Sequence, residues 1–158
     1  MFWRLTKTFL FTVAAPGTVG VLLPQSMKGA GAPLPIPFHA AGLLLMLCGA
    51  AIYFWCAWDF VSKGFGTPAP IDAPRVLVVH GLYRFSRNPM YVGVSSLIFG
   101  QALFYGAAAI ARYGCIVLLC FHLFVCFYEE PTLKRLFGEQ YDDYRREVPR
   151  WLLRFSRT

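Results

Sequence analysis

The chain has 158 residues, 57% of them hydrophobic and only 15% charged, with a mean hydropathy of +0.51. One domain fits that length, and soluble domains carry about 25% charged residues, so the composition points to lipid rather than water as the solvent. The net charge of +7 lies between and after apolar runs, not on one basic face. That pattern argues against nucleic acid and for charges that orient membrane helices.

Four apolar segments follow in chain order, at about 9–23, 40–60, 90–105 and 108–128. A spanning helix needs about 20 apolar residues. The second and fourth meet that length. The first is short and holds Pro16, which predicts a kink. Arg4, Lys7 and the small residues Gly29–Ala32 also give it the look of a cleavable signal, an alternative that leaves the later orientation unchanged. The stretch 62–88 is rich in Gly and Pro, and its Arg75–Val79 run has strand-like composition but no partner strand, so it reads as an ordered segment packed on the membrane face. After Pro131, Leu133, Leu136, Phe137, Tyr141, Tyr144 and Val148 recur at helical spacing. They predict one amphipathic surface helix ended by Pro149, followed by a basic, aromatic tail of Trp151, Leu152, Leu153, Arg154, Phe155 and Arg157 suited to anionic lipid.

Lys and Arg set the orientation. With the N-terminus inside, 13 of the 15 basic residues are cytosolic and only Lys28 and Arg112 are outside. The expectation is an all-α integral membrane fold with about four transmembrane helices, both termini cytosolic, and a C-terminal amphipathic helix at the cytosolic face. It forms a single membrane domain over 1–158, with an N-terminal helix pair at 1–61. Trp3, Trp55, Trp58 and Trp151 fall near segment ends, where indoles favour the interface. The five cysteines sit in apolar runs without metal-like spacing, so neither a disulfide nor a metal site is expected. His39 and His80 read as solvated edge residues. Asp59 reads as the partner of Lys63 or a nearby arginine.

Two segments carry chemistry. In Gly81–Gly93, Asn88 suits an N-cap and Pro89 the first helical position, so the third span starts there with its free N–H groups facing the cytosol. Such an end takes anions, and Arg84 and Arg87 add charge beside it. Gly93 permits close approach of backbone or ligand. In the second segment, Glu129 and Glu130 stand at the end of an apolar run, where a helix dipole disfavours them unless cations offset them. A hairpin of the third and fourth spans turning near 106–110 brings the two segments together. Tyr83, Phe85, Tyr91 and Tyr128 supply aromatic walls. This set suits a cationic nucleoside such as S-adenosylmethionine, and other ligands as well. His122, two turns before Glu129, reads equally as a ligand-binding residue or as a histidine bonded inside the bundle.

The pattern GLYRFSRNPMYVG, followed by FYEEPTLKRLFGEQYDDYRREVPR, resembles the isoprenylcysteine carboxyl methyltransferase family of integral-membrane enzymes over 76–150. The resemblance implies that this stretch is the catalytic region. It also implies that Arg87, Asn88, Pro89, Tyr91 and Gly93, with Glu129 and Glu130, hold S-adenosylmethionine, and that an arginine meets the acceptor. Asn88 stands where many members have His, and Glu147 where a basic residue is common, so Arg146 or Arg150 takes that arginine's place. A carboxylate acceptor needs no base. An amine needs one, with Glu129, Glu130 or His122 as candidates. The expected partners are a lipophilic or prenylated acceptor from the bilayer and membrane lipids, with no nucleic acid and no obligate protein. A phospholipid amine is the alternative acceptor, and a non-catalytic lipid-binding scaffold the alternative class. A bacterial inner membrane is the expected site.

Overall fold

Helix packing in this chain begins with glycine. Gly42 and Gly49 lie two turns apart on one helix, Gly93 and Gly100 two turns apart on another. The computed structural model, which describes residues 6, 10–29, 31–32, 34–62 and 76–151, sets these pairs against each other in antiparallel register. A Cβ on Gly49 would stand 2.6 Å from the Gly93 carbonyl oxygen, and one on Gly100 would stand 2.8 Å from that of Gly42. Small residues let backbones approach where lipid offers no hydrophobic drive to pack.

Among the described residues every regular element is helical. The helices are α1 (Leu10–Ser26), α2 (Ile36–Ser62), α3 (Pro89–Tyr105), α4 (Ala108–Phe137) and α5 (Glu139–Glu147), with a 3₁₀ turn at Gly81–Arg84 before α3. Two helices are long and apolar enough to cross a membrane, Ile36–Phe60 within α2 and Ala108–Phe137. At 1.5 Å per residue, α1 and α3 reach about 25 Å, short of a 30 Å bilayer core. Lys63, Arg75 and the tail beyond Trp151 lie outside the described residues, as do Trp3, Arg4 and Lys7. Val76–Val79 is extended but forms no strand.

Proline shapes two helices. In α1, Val13–Leu22 is π-helical around Pro16, where the sequence predicts a kink. In α4, Val125–Glu129 is π-helical just before Pro131. A proline cannot bond to the carbonyl four residues back and its ring crowds it, and a wider turn relieves both problems. Helix α4 therefore runs through the Glu129–Glu130 pair instead of ending there. The predicted single amphipathic helix is two pieces. Gly138 takes φ +53°, so α4 stops at Phe137 and α5 departs in a new direction.

The α3–α4 hairpin turns at Gly106 and Ala107, as the spacing predicts. Tyr53, Val94, Ile98, Ile110 and Val117 pack the main core between α2, α3 and α4. Tyr141, Tyr144 and Val148 form a smaller core with Leu77 and Leu133, which holds α5 under the extended segment. His39 is not solvated: its ring nitrogens meet the carbonyls of Phe104 (2.6 Å) and Leu34 (3.0 Å). Asp59 is buried beside Gly81. Overpacking a tight contact costs about 1–3 kcal/mol. Gly93→Ala should lower stability by that amount in thermal unfolding in detergent, whereas an alanine at exposed Gly29 should cost only its positive-φ strain.

Candidate functional site

Arg87, at the entrance to α3, faces Glu130 on α4. Its Nη1 donates to Glu130 Oε1 at 2.8 Å and to the Tyr141 hydroxyl at 3.3 Å. Arg150 grips the same carboxylate in a fork, Nε to Oε1 at 2.7 Å and Nη2 to Oε2 at 2.9 Å. That fork holds the Arg150 guanidinium above its ordinary pKa. Planar bidentate pairing is the strongest form such a contact takes.

The backbone around Arg150 is tied down as well. The Arg87 N–H donates to the Pro149 carbonyl (3.0 Å). Asn88 Nδ2 (3.1 Å) and Ser86 Oγ (3.2 Å) donate to the carbonyl of Arg150. Pro149–Trp151 is thus a strap laid across the start of α3. The predicted N-cap role of Asn88 is corrected here. Its side chain caps no helix and spans to the strap, while Ser86 Oγ accepts the Asn88 N–H at 3.3 Å.

Beside this lock lies a cavity of about 510 Å³. Tyr83, Arg87, Asn88, Tyr91, Glu129, Thr132 and Tyr144 line its polar end. Phe11, Pro16 and Val19 of α1, Val94 of α3 and Phe121 of α4 line its apolar end. The Tyr91 hydroxyl donates to Glu129 Oε2 at 3.0 Å. Tyr144 donates to the Tyr83 carbonyl at 2.7 Å. Burial pushes the phenols of Tyr83 and Tyr144 up, so both stay neutral donors at physiological pH. Arg87 Nε is buried without a hydrogen-bond partner among the described residues, an orphan donor at the cavity wall.

Five of the residues expected to bind cofactor therefore meet at the cavity: Tyr83, Arg87, Asn88, Tyr91 and Glu129. The others do not. Pro89 is the buried first residue of α3. Gly93 faces Gly49 on α2, so the close approach it permits is helix against helix. Glu130 is turned from the cavity and saturated by Arg87 and Arg150. Arg146 sits on the outer face of α5, paired with Asp143 at 3.1 Å and largely exposed. His122 is exposed and takes the Trp151 indole N–H. The π-helical turn between His122 and Glu129 rotates less per residue than simple helical counting assumes. Sequence reasoning passed over Ser86 and Thr132, which nothing in their spacing marks, and placed Tyr144 on the apolar face of the C-terminal helix and not at the cavity.

The profile of the family described as phospholipid methyltransferase matches residues 37–140, from α2 into α5. The chain belongs to that family. The phospholipid methyltransferases are among the isoprenylcysteine carboxyl methyltransferase-like membrane methyltransferases, so the resemblance read from the motifs holds. The chain is a membrane methyltransferase by family and by its two long apolar helices. A comparison with curated proteins finds no match. Within the family match lie the glycine pairs, the Arg87–Tyr91 entrance and both glutamates, whereas the Pro149–Trp151 strap falls beyond it. Removing one partner of a buried ion pair costs about 3–5 kcal/mol, because the others stay desolvated. Glu130→Ala should lower stability by about 3 kcal/mol. It should also open the strap, read as faster proteolysis after Arg150, while Arg146→Ala should change neither.

Proposed function

We propose that the cavity binds S-adenosylmethionine at its polar end and a lipophilic methyl acceptor at its apolar end. The observation that carries this reading is one continuous cavity with the Glu129 carboxylate and the Arg87 side chain at one end and an α1 wall of Phe11, Pro16 and Val19 at the other. Its volume falls in the 300–1,000 Å³ range of small-molecule sites. When bound, S-adenosylmethionine supplies an electrophilic methyl group on a sulfonium.

The chain's own residues suit that cofactor. Glu129 offers a carboxylate to a cationic amine or to hydroxyls, with Tyr91 fixing one of its oxygens. The Arg87 guanidinium offers positive charge to a carboxylate while its Nη1 remains on Glu130. Tyr91, Phe121 and Tyr128 supply aromatic faces for a cation or a base. With the reactants held in one cavity, positioning carries much of the catalysis. For a carboxylate acceptor, already a nucleophile, no side chain needs to move a proton. Arg150 would meet it only by leaving Glu130. This isoprenylcysteine-type O-methylation is the reading put first. For a lipid amine, the acceptor that the family's description favours, Glu129 is the carboxylate at hand to take the proton.

The proposed arrangement has four apolar helices in a membrane such as the bacterial inner membrane, with both termini cytosolic. The cofactor enters from the cytosol and the acceptor sideways from lipid. A charge-assisted hydrogen bond contributes about 1.5–3 kcal/mol, at least tenfold in affinity. Calorimetry in nanodiscs with S-adenosylhomocysteine should therefore give saturable binding, weakened at least tenfold by Glu129→Gln and within twofold of wild type for Arg146→Ala. Transfer of labelled methyl to a farnesylated cysteine would favour the carboxylate reading. Transfer to phosphatidylethanolamine would favour the amine. Folded protein that binds no homocysteine analogue would leave a non-catalytic scaffold.

A further inference from the structure

All five cysteines are free, and Cys126 is the one whose sulfur meets a histidine. Its Sγ lies 3.6 Å from His122 Nε2, one turn earlier on α4. The other ring nitrogen, Nδ1, accepts the Trp151 indole N–H at 3.2 Å. An indole only donates, so the neutral His122 ring must carry its proton on Nε2, facing the sulfur. The thiol thus sits beside a fixed proton donor, on the face of α4 turned away from the cavity.

That face indicates the electrophile. One, two and three turns back from Cys126 stand Leu123, Leu119 and Ile116, exposed by 44%, 58% and 61%. From Cys126 to Ile116 the stripe runs about 15 Å, half of a bilayer core. None of these side chains lines the cavity. A long acyl chain tethered at Cys126 would lie along the stripe into lipid, and cysteines at such a boundary are where acyl chains are carried.

We propose that Cys126 is an S-acylation site that takes a long-chain acyl group from a soluble acyl thioester. The Cys126 thiolate attacks the thioester carbonyl, forming a new carbon–sulfur bond as the bond to the carrier sulfur breaks. The departing carrier thiolate takes up from water the proton that the Cys126 thiol lost to it, and the His122 Nε2–H donates a hydrogen bond that stabilises the attacking thiolate. No oxidant or reductant takes part.

The proposal rests on α4 lying in a membrane with Glu129 at the cytosolic boundary. Wild type, Cys120→Ser, Cys126→Ser and His122→Ala in nanodiscs would be incubated with palmitoyl-coenzyme A and followed by intact mass. Wild type and Cys120→Ser should gain one palmitoyl group that hydroxylamine removes, Cys126→Ser none, and His122→Ala the same group about tenfold more slowly, the loss of one charge-assisted hydrogen bond to the thiolate. Acylation spread over Cys48, Cys115 and Cys120, acylation retained by Cys126→Ser, or a wild-type rate in His122→Ala would overturn the proposal. So would a wild type that gains no palmitoyl group. In that case a bimane label on a variant keeping only Cys126 separates the two readings. Quenching by brominated lipid would leave the membrane arrangement standing, and its absence would remove that arrangement too.

Discussion

The clasp of Arg87 and Arg150 on Glu130 is the contact on which the site depends, because it joins three stretches of chain at a single carboxylate. Arg87 enters α3, Glu130 belongs to α4, and Arg150 lies twenty residues later in the strap. A buried carboxylate with one arginine would be a poor bargain against desolvation. Two guanidiniums, one of them forked, satisfy both oxygens and leave a net positive cluster. The carbonyls of Pro149 and Arg150 accept from Arg87 N–H, Ser86 and Asn88, which fixes the strap independently of charge. The cavity inherits its polar wall from this arrangement, since the Arg87 side chain that grips Glu130 also lines the cavity.

Adjacent acids do different work because adjacent helical positions point about 100° apart. Glu129 faces the cavity and Tyr91, while Glu130 faces the strap. The π-helical turn that Pro131 demands sits immediately before them and sets the angle at which the pair is presented. The proline, unfavourable inside a helix, is thus part of how two carboxylates in sequence become one ligand-facing group and one structural anchor.

Much of this was legible in the sequence, and the limits follow a physical pattern. The Asn88–Pro89 helix start, the turn at Gly106 and the convergence of Tyr91 with Glu129 rest on local chemistry and on spacing along regular helices, and these expectations agree with the structure. His122 was placed by a regularity that the chain breaks. Gly93 was read as room for backbone or ligand, and the backbone of Gly49 is what approaches it. His122 falls on the cavity face only if the helix keeps 3.6 residues per turn, which Val125–Glu129 does not. The single amphipathic helix failed at Gly138, where apolar spacing continues across a change of direction. Glu130 was recognised as needing cations, but spacing cannot say whether a carboxylate will be filled by the protein or left for a ligand.

The apolar end of the cavity depends on the least regular helix. Helix α1 supplies Phe11, Pro16 and Val19 to that wall, and polar contacts tie it to α2, α3 and α4, with Gln25 adding bonds to Gln101 and Tyr105 of α3. Thr12 meets the Tyr53 hydroxyl at 2.9 Å on α2, Gln101 of α3 donates to the Gly20 carbonyl at 2.6 Å, and Tyr113 of α4 donates to the Val19 carbonyl at 2.9 Å. These bonds satisfy polar groups that a proline-bearing helix presents awkwardly, in surroundings where an unmet carbonyl is costly. They hold α1 by points rather than by the glycine-to-glycine contact that joins α2 and α3. The apolar wall is therefore the one best able to shift, while the polar end is clamped by charge. This division is what the proposed pairing of a water-soluble cofactor held in one pose with an acceptor entering from lipid would require.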